Sequence, residues 1–353
     1  TDEAEKLNWY NENDDTRRLK SSLSKLDIES MGIKIPTGKN VEEIWEIFDI
    51  VINNIEDQDE IVLDITHAFR YIPMLATVIL DYAKAVKNAK IIGIYYGAWE
   101  LRDTAVEPNI APIFNLTSLS EIQEWSQAVN TFTRYGNSGH LKEISNMTLK
   151  PSLRTEVWAR EANKFITKLN DFTMNISTCR GMLSDNSKSS KKSIQFATKE
   201  VKDSLKKFKT IDDAFQLKPI IPLVSKIEES ISNFDENSIL KTGLATIKWC
   251  IDNDLIQQAY TALEETLKTY ICEIHNLDTT KYENRELIVN KAINKKTSEK
   301  RSEKGIELED STEEQKAIND KIRKIAASLD LEFVQLAQKI KAKRNDINHF
   351  GFN

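Results

Sequence analysis

A buried apolar strand that runs directly into a helix determines the architecture of the first third of the chain. The segment EIVLDI (60–65) has apolar side chains on both faces, and MLATVILDYAKAVK (74–87) has the period of a helix. Pro73 is tolerated only in the first helical turn, so the helix cannot begin before about Phe69. Residues 66–68 therefore form a loop at the carboxyl end of a strand, which is where open α/β sheets bind ligands.

Further strands and helices alternate around this joint. The segments MGIKIP (31–36) and AKIIGIYYGAWE (89–100) are typical of strands, and VEEIWEIFDIVINNI (41–55) is typical of a helix, with Asn40 and Glu43 spaced as a capping box. Strands that are apolar on both faces and separated by helices predict a Rossmann-like parallel sheet covered on both sides. From about Leu116 only helical periods follow, so we predict an α/β domain succeeded by all-α structure.

Composition and charge exclude several classes of protein. No run of 18 apolar residues is present to cross a bilayer, and the acidic start TDEAEKLNWY is unlike a signal peptide, so we expect a cytoplasmic protein with no membrane partner. The net charge of −6 argues against a broad basic surface, so we expect no stable DNA binding, although a local phosphate pocket is compatible with it. Three widely spaced cysteines predict reduced thiols packed as small hydrophobes rather than disulfides or a metal site.

Polar side chains and glycines collect where the predicted strands end. The loop after EIVLDI enters a helix N-terminus, whose free amides favour anions, and Arg70 adds a charge with a fork geometry suited to phosphate. Glycines in PTGKN (36–40) and YYGAWE (95–100) allow the backbone to approach a ligand at the same edge. The predicted ligand-binding residues are Gly38, Asp64, Thr66, His67, Arg70 and Gly97.

Each of these polar residues also has a structural interpretation. Asp64 would cap the helix or pair with Arg70, Thr66 would act as a cap, and His67 would be a hydrogen-bonded loop residue. Their concentration on one joint favours ligand binding over these separate explanations.

The last predicted helix carries a charge on its packing face. Phe333, Leu336, Ile340 and Ile347 recur at helical spacing, and Arg344 falls on the same stripe. A guanidinium at such a position requires a partner or a function. His349 follows five residues later, about 140° around the helix, so one helix does not bring both side chains to a single point.

Two copies of this helix across a two-fold axis would bring two arginines and two histidines into one cleft. There His349, steered by Asn345, would move the proton of a ribose 2′-hydroxyl while Arg344 offsets charge on the phosphate, and this chemistry requires no metal. The structural alternative is a histidine that caps the helix C-terminus and an arginine in a salt bridge with Asp346 or with another helix.

Taken together, these motifs resemble the CRISPR-associated CARF and HEPN ribonucleases of type III systems. DITHAFRYIPML with GIYYGAWE resembles the ligand-sensing CARF domain, RNDINH matches the HEPN pattern of arginine, four residues and histidine, and 253–272 resembles an earlier HEPN helix. The resemblance implies a CARF-like domain at 1–116 that lacks the family's first strand, and a helical connecting region at 117–240. It also implies a HEPN domain at 241–353 with a charged insertion near 295–315.

The same resemblance implies an allosteric ribonuclease. The protein would be a homodimer or higher homo-oligomer, in which a cyclic oligoadenylate, with the tetra-adenylate favoured, activates cleavage of single-stranded RNA without a cofactor or metal. The resemblance assigns the ligand loop to Asp64, Thr66, His67 and Arg70, and the nuclease to Arg344, Asn345 and His349. Two other classes stay open: a non-catalytic nucleotide-sensing regulator, and a sensor that also degrades its cyclic ligand.

Overall fold

The chain forms two compact units, Thr1–Ser120 and Glu121–Asn353. The computed structural model describes residues 1, 5–10, 18–66, 71–180, 193–211, 220–300 and 312–349. The first unit contains the sheet, and the second is built from helices. An α/β part followed by a helical part is therefore confirmed, whereas the boundaries at 116 and 240 and the HEPN character of the last part stay predictions.

Helices and strands alternate in the first unit as the sequence predicts for residues 41–97. The elements are α1 (Leu19–Ser24), α2 (Val41–Asn53), β1 (Glu60–Asp64), α3 (Ile72–Lys87), β2 (Lys90–Gly97) and β3 (Ile113–Asn115). Pro73 lies in the first turn of α3, as predicted. Asn40 caps α2 and accepts a hydrogen bond from Glu43 N at 2.8 Å, while Glu43 Oε2 accepts one from Lys39 N at 3.0 Å.

The sheet is mixed, so the prediction of a wholly parallel sheet is wrong. Its order is β1-β2-β3, with β1 parallel to β2 and β3 antiparallel to β2. Sequence periodicity does not signal β3, because its three residues IFN are all exposed and a strand that short has no measurable alternation.

The segment MGIKIP is not a strand, which is a second correction. Met31 is 73% exposed and Ile33 is 44% exposed, and the segment joins none of the three described strands. Its composition favours extended backbone, but a strand is stabilised by cross-strand neighbours, and within the described part of the chain these residues have none. The sheet is also not covered on both faces, since Val62 and Ile92 are more than half exposed.

The core of the first unit lies between α2, α3 and the sheet. Its buried residues are Ile52, Ile55, Ile79, Ala83 and Ala89, with Phe48, Val51, Ile61 and Leu75 packed against them. This small core fixes the positions of α3 and β1, and therefore of the loop that joins them.

The second unit is helical throughout its described residues. After α4 (Thr117–Tyr135), which crosses the boundary between the units, the helices are α5 (Gly139–Thr148), α6 (Val157–Ser177), α7 (Ile194–Lys209), α8 (Ile221–Ile231), α9 (Ile239–Asp252) and α10 (Ile256–Ile274). A π-helix (Glu283–Val289) leads into α11 (Asn290–Lys300), followed by α12 (Glu313–Ser328) and α13 (Leu331–Asn348). Residues 295–300 of the predicted charged insertion complete α11, and 301–311 lie outside the described residues.

Two hydrophobic clusters hold these helices together. In the first, the rings of Phe132, Phe172 and Phe234 surround Trp249, with ring centroids 5.7–5.8 Å apart. The second includes Ile271, Val289, Ile322 and Val334, which join α10, the π-helix, α12 and α13. This cluster places α13 against α10.

The packing face of α13 differs from the predicted stripe. Val334, Ala337 and Ile340 are buried, whereas Leu336 is 55% exposed. The large aliphatic side chain of Leu336 predicts burial, but the small side chain of Ala337 is the one that is buried against the neighbouring helices. Ile340 and Arg344 belong to both stripes, so the predicted position of Arg344 on the packing side is confirmed.

The cysteines are free thiols in different environments. Cys250 and Cys272 are buried, as predicted, whereas Cys179 is exposed. Burial, followed by the nearby Cys179, raises the pKa of the Cys250 thiol to about 12.

None of the described helices combines the length and apolar character needed to cross a membrane.

Candidate functional site

The carboxyl ends of the two parallel strands are joined through Thr66. Thr66 Oγ1 accepts a hydrogen bond from Gly97 N at 2.7 Å, and Ile65 N donates to Tyr95 O at 3.0 Å. Gly97 has little free space here, since a Cβ atom at this position would lie 3.1 Å from Thr66 Oγ1. The structure thus brings Thr66 and Gly97 together at one edge of the sheet, and their role in binding a ligand stays a prediction.

Asp64 organises the start of the same loop. Its Oδ1 accepts a hydrogen bond from Thr66 N at 2.8 Å, which is the local turn that aspartate commonly forms with the residue two positions later. Asp64 therefore has a structural role, but it does not cap the helix as the structural alternative expected, since the N-cap residue of α3 is Tyr71 and no side chain caps it. His67 and Arg70, which were predicted to complete the ligand set, lie outside the described residues.

Gly38 packs against the residue that precedes α3. It has a φ of +72°, and a Cβ atom would lie 2.0 Å from Tyr71 Oη. The Tyr71 hydroxyl donates to Thr37 O at 2.8 Å, which fixes the loop 36–40 against the N-terminal end of α3. Glycine is required here both for the left-handed backbone and for the close approach of the tyrosine.

The segment after β2 has its own polar contacts. Tyr96 Oη donates a hydrogen bond to the Glu100 carboxylate, which raises the pKa of Tyr96 and lowers that of Glu100. The guanidinium carbon of Arg102 lies 4.8 Å from the centroid of the Trp99 ring, and this ring is 56% exposed. One face of Trp99 is therefore occupied by a cation, as in a cation–π pair.

In the second unit, Arg344 forms an ion pair with another helix. Its Nε lies 2.7 Å from Oε2 of Glu264 on α10, and the two side chains are 26% and 7% exposed. Both atoms are fully buried, and neither has a hydrogen-bond partner. The contact between them is therefore an ion pair and not a hydrogen bond. The salt bridge to another helix, which was the structural alternative for Arg344, is present.

Glu264 also belongs to a buried charge network. Lys268, which is 5% exposed, lies 3.3 Å from Glu264, 2.9 Å from Glu265 and 2.6 Å from Glu286. Arg285 donates to Glu265 Oε2 at 2.6 Å and to Thr269 Oγ1 at 2.7 Å. We call this set the charge network: the carboxylates of Glu264, Glu265 and Glu286 with the cations of Lys268, Arg285 and Arg344.

The charge network shifts the pKa values of Lys268 and Glu265 in opposite directions. Burial lowers the pKa of Lys268, but the carboxylates of Glu265, Glu286 and Glu264 outweigh burial and raise it above its ordinary value. Burial likewise raises the pKa of Glu265, but Lys268 and Arg285 outweigh it and lower the pKa overall. The shifts of Lys268 and Glu265 each favour the charged form, and the network as a whole contains three basic and three acidic side chains.

His349 lies in a different environment from Arg344. It is the C-cap residue of α13, its backbone N–H donates to Asn345 O at 2.8 Å, and its side chain is exposed. Asn345 is half-buried, and the neighbouring Asn348 accepts a hydrogen bond from Gln257 of α10 at 2.9 Å. The end of α13 is thus held against α10 while the imidazole of His349 faces solvent.

A cavity of about 550 Å³ lies beside the charge network in the second unit. Helices α9 and α10 and the π-helix line it, with Thr246, Glu265 and Arg285 on its wall. None of the residues that the sequence predicts for a site lines this cavity. Two of its charged lining residues, Glu265 and Arg285, form an ion pair with each other, and Arg180 and Glu286 also line it.

Sequence reasoning missed the acidic partner of Arg344. Glu264 and Lys268 are spaced i and i+4, a pattern that usually marks an exposed pair on a helix surface. Only their burial against α13 and the π-helix distinguishes them from ordinary surface charges. Among the described residues, no group of three or more histidine, cysteine, aspartate or glutamate side chains is placed to hold a metal ion.

Comparison with known proteins indicates the class of the first unit, which contains the parallel strand pair and its loops. Residues 28–100 match the family model described as the CARF domain of CRISPR system endoribonuclease Csx1. The chain is also 32% identical over 271 residues to CRISPR-associated protein MJ1674 of Methanocaldococcus jannaschii. That alignment covers 75% of this chain and 38% of the relative, so the chain spans well under half of the relative's length. Together the two matches support a CRISPR-associated protein with a CARF domain, which confirms the resemblance to that extent.

Proposed function

We propose that the protein is a cyclic-oligoadenylate-activated endoribonuclease that cuts single-stranded RNA without a metal ion in type III CRISPR antiviral defence. The observation that carries the proposal is the environment of Arg344, a charged side chain on the packing face of α13, five residues before an exposed histidine. The match of residues 28–100 to the CARF domain of a CRISPR endoribonuclease supports the same reading.

The first unit would bind the activator at the edge where β1 and β2 end. Thr66, Gly97 and Gly38 there hold backbone segments in close approach, with Asp64 organising the loop. Residues His67 and Arg70 would supply the groups that contact phosphate, as the sequence predicts. A cyclic ligand on a two-fold axis would contact both subunits of a homodimer, and its binding free energy would depend on their arrangement.

The second unit would supply the nuclease through paired copies of α13. His349 would remove the proton of a ribose 2′-hydroxyl, whose oxygen attacks the adjacent phosphorus as the bond to the 5′-oxygen breaks and that oxygen is protonated. Arg344 would stabilise the charge that develops on the phosphate oxygens, and Asn345 would orient the imidazole. The exposed side chain of His349 is accessible to such a substrate.

One assay tests the proposal directly. Purified protein is incubated with labelled single-stranded RNA and each cyclic oligoadenylate in turn, with and without excess chelator. We expect cleavage with one ring size, most readily the tetra-adenylate, and products that end in a 2′,3′-cyclic phosphate. Cleavage that disappears with the chelator would contradict the metal-independent mechanism, and intact RNA under every condition would contradict the nuclease.

The buried contact between Arg344 and Glu264 favours a second candidate, in which Arg344 is structural and the protein is a non-catalytic nucleotide-sensing regulator. Such a protein would bind the cyclic activator but leave RNA intact. The same incubations with labelled activator also test whether the sensor degrades its ligand, because linear oligoadenylate would then accumulate.

A further inference from the structure

We propose that Glu264 is a positioning residue of the nuclease, which holds Arg344 by one edge of its guanidinium and leaves the other edge available to RNA phosphate. This inference rests on the proposed function and extends it to a residue outside the arginine and histidine motif. Glu264 lies on α10, 80 positions before Arg344, and it does not contact substrate in this proposal.

The geometry of the guanidinium carries the first step. Nε of Arg344 is fully buried and lies 2.7 Å from Glu264 Oε2. Among the described residues, the two terminal nitrogens have no hydrogen-bond partner, and the side chain keeps 26% of its exposure. The edge formed by the terminal nitrogens is therefore the accessible edge, and paired N–H groups match the oxygens of a phosphate.

The environment of Glu264 carries the second step. Its carboxylate is 7% exposed and is shared between Arg344 and Lys268, whose Nζ lies 3.3 Å from Oε1. Lys268 is in turn fixed by Glu265 and Glu286. Because Lys268 holds one oxygen of the Glu264 carboxylate, the other oxygen has little freedom to move. The Arg344 guanidinium that contacts this second oxygen is therefore held in one position.

The arrangement of the helices carries the third step. Gln257 and Glu264 are seven residues apart on α10 and lie on one face, where they contact Asn348 and Arg344 of α13. The two contacts hold the segment 344–348 of α13 at its two ends, Arg344 and Asn348. Fixing this segment would also fix the direction in which the Arg344 guanidinium projects.

Three substitutions at position 264 separate positioning from simple charge balance. Glu264→Gln keeps the size and removes the charge, whereas Glu264→Asp keeps the charge and withdraws the carboxylate by about one methylene group, which the Arg344 contact does not tolerate if position matters. Glu200→Gln is the matched control, because it also removes a carboxylate from a lysine, Lys168 at 2.9 Å, but lies on α7 outside the charge network and makes no contact with Arg344. Glu264→Ala reports the effect of losing the whole side chain.

The experiment measures kcat and KM for RNA cleavage by the activated, full-length protein, together with the melting temperature of each variant. We expect Glu264→Gln and Glu264→Asp each to lower kcat by about 10-fold or more with KM changed less than about threefold, since the lost contact acts in the transition state. Glu200→Gln is expected to keep kcat within about twofold of the wild type, even where its melting temperature falls as far as that of Glu264→Gln.

Four results would overturn the inference, and the last of them would overturn the proposed function as well. Wild-type kcat in Glu264→Gln removes any positioning role, and wild-type kcat in Glu264→Asp alone reduces the role to charge balance. Equal losses of kcat in Glu264→Gln and Glu200→Gln that follow the melting temperatures indicate a purely structural residue. A wild-type protein that leaves RNA intact with every activator overturns the proposed function itself, and this inference with it.

Discussion

The two predicted sites are built by different means. At the edge of the sheet, Thr66, Asp64 and Gly97 are held by short-range hydrogen bonds, in which the backbone N–H groups of Thr66 and Gly97 donate to the side chains of Asp64 and Thr66. At the end of α13, Arg344 is held by a charged carboxylate that is itself embedded in the charge network. The first arrangement determines the course of a loop, and the second determines the orientation of one charged group.

This difference indicates how each region should respond to substitution. A loop fixed by several weak bonds loses stability in small steps, about 1 kcal/mol for each bond removed. A charge fixed by one buried partner loses its orientation in a single step, because the remaining charge is left without compensation. Substitutions in the first unit should therefore change activator binding and stability, and those at the end of α13 should change catalysis.

The largest effect is expected for His349→Ala, which should lower RNA cleavage by about 100-fold or more, as expected for loss of a general acid or base. Activator affinity should stay unchanged, since the substitution removes an exposed side chain at the end of α13. The measurements are single-turnover cleavage and equilibrium binding of labelled activator. His275→Ala is the matched control, because His275 is also the C-cap residue of a helix, α10. Persistent cleavage by His349→Ala would contradict the catalytic role of this histidine, and with it the prediction that substitutions at the end of α13 act on catalysis.

Gly38→Ala should destabilise the first unit by about 2–3 kcal/mol, because the left-handed backbone alone costs about 1–2 kcal/mol for a residue with a Cβ and Tyr71 must also move. Urea denaturation followed by circular dichroism measures this change, and activator affinity should fall with it. Gly32→Ala serves as the control, since its nearest contact would be 3.3 Å and its φ is not in the left-handed region. Equal stability of the two variants would contradict the proposed role of the Gly38 loop.

Thr66→Val should cost about 1–2 kcal/mol, because Gly97 N loses its hydrogen-bond acceptor while the shape of the side chain is kept. Thr66→Ser retains the hydroxyl and should be close to wild type. The comparison is made by denaturation and by activator binding on the same samples. A Val variant that is as stable as the Ser variant would show that the Thr66 bond does not hold the two strand ends together.

The smallest effect concerns the charge network and pH. Because the pKa of Glu265 is below its ordinary value of 4.5, its contribution to stability is present above that value and is lost as the pH falls through the lower, folded-state pKa. The Glu265 side chain is 42% exposed, so the contribution is limited to about 0.5 kcal/mol by solvent screening. Denaturation from pH 6 to pH 3 should show a shallower acid loss in Glu265→Gln than in wild type, and Glu143→Gln, at an exposed position of α5, should follow the wild type.

The sequence predicted the parts of the fold that depend on local signals. The Asn40 cap, the start of α3 near Pro73 and the strands β1 and β2 follow from capping chemistry, proline geometry and apolar periodicity. The errors at MGIKIP and β3 have one cause: strand formation depends on a partner elsewhere in the chain, which periodicity does not report. In the second unit, the position of Arg344 was predictable from its spacing, but its partner Glu264 was not, because burial distinguishes it from a surface charge only after folding.

The seven-residue π-helix between α10 and α11 explains why Arg285 and Glu286, which are adjacent and of opposite charge, both contact α10. Its wider turn brings successive side chains closer in direction than an α-helix does, so Arg285 reaches Glu265 and Thr269 while Glu286 reaches Lys268. Deleting one residue from this segment would restore an ordinary helical period and rotate one member of the pair away from α10. The length of this turn is consequently as much a determinant of the local electrostatics as the identity of the charged residues, and insertions or deletions here should be less tolerated than substitutions.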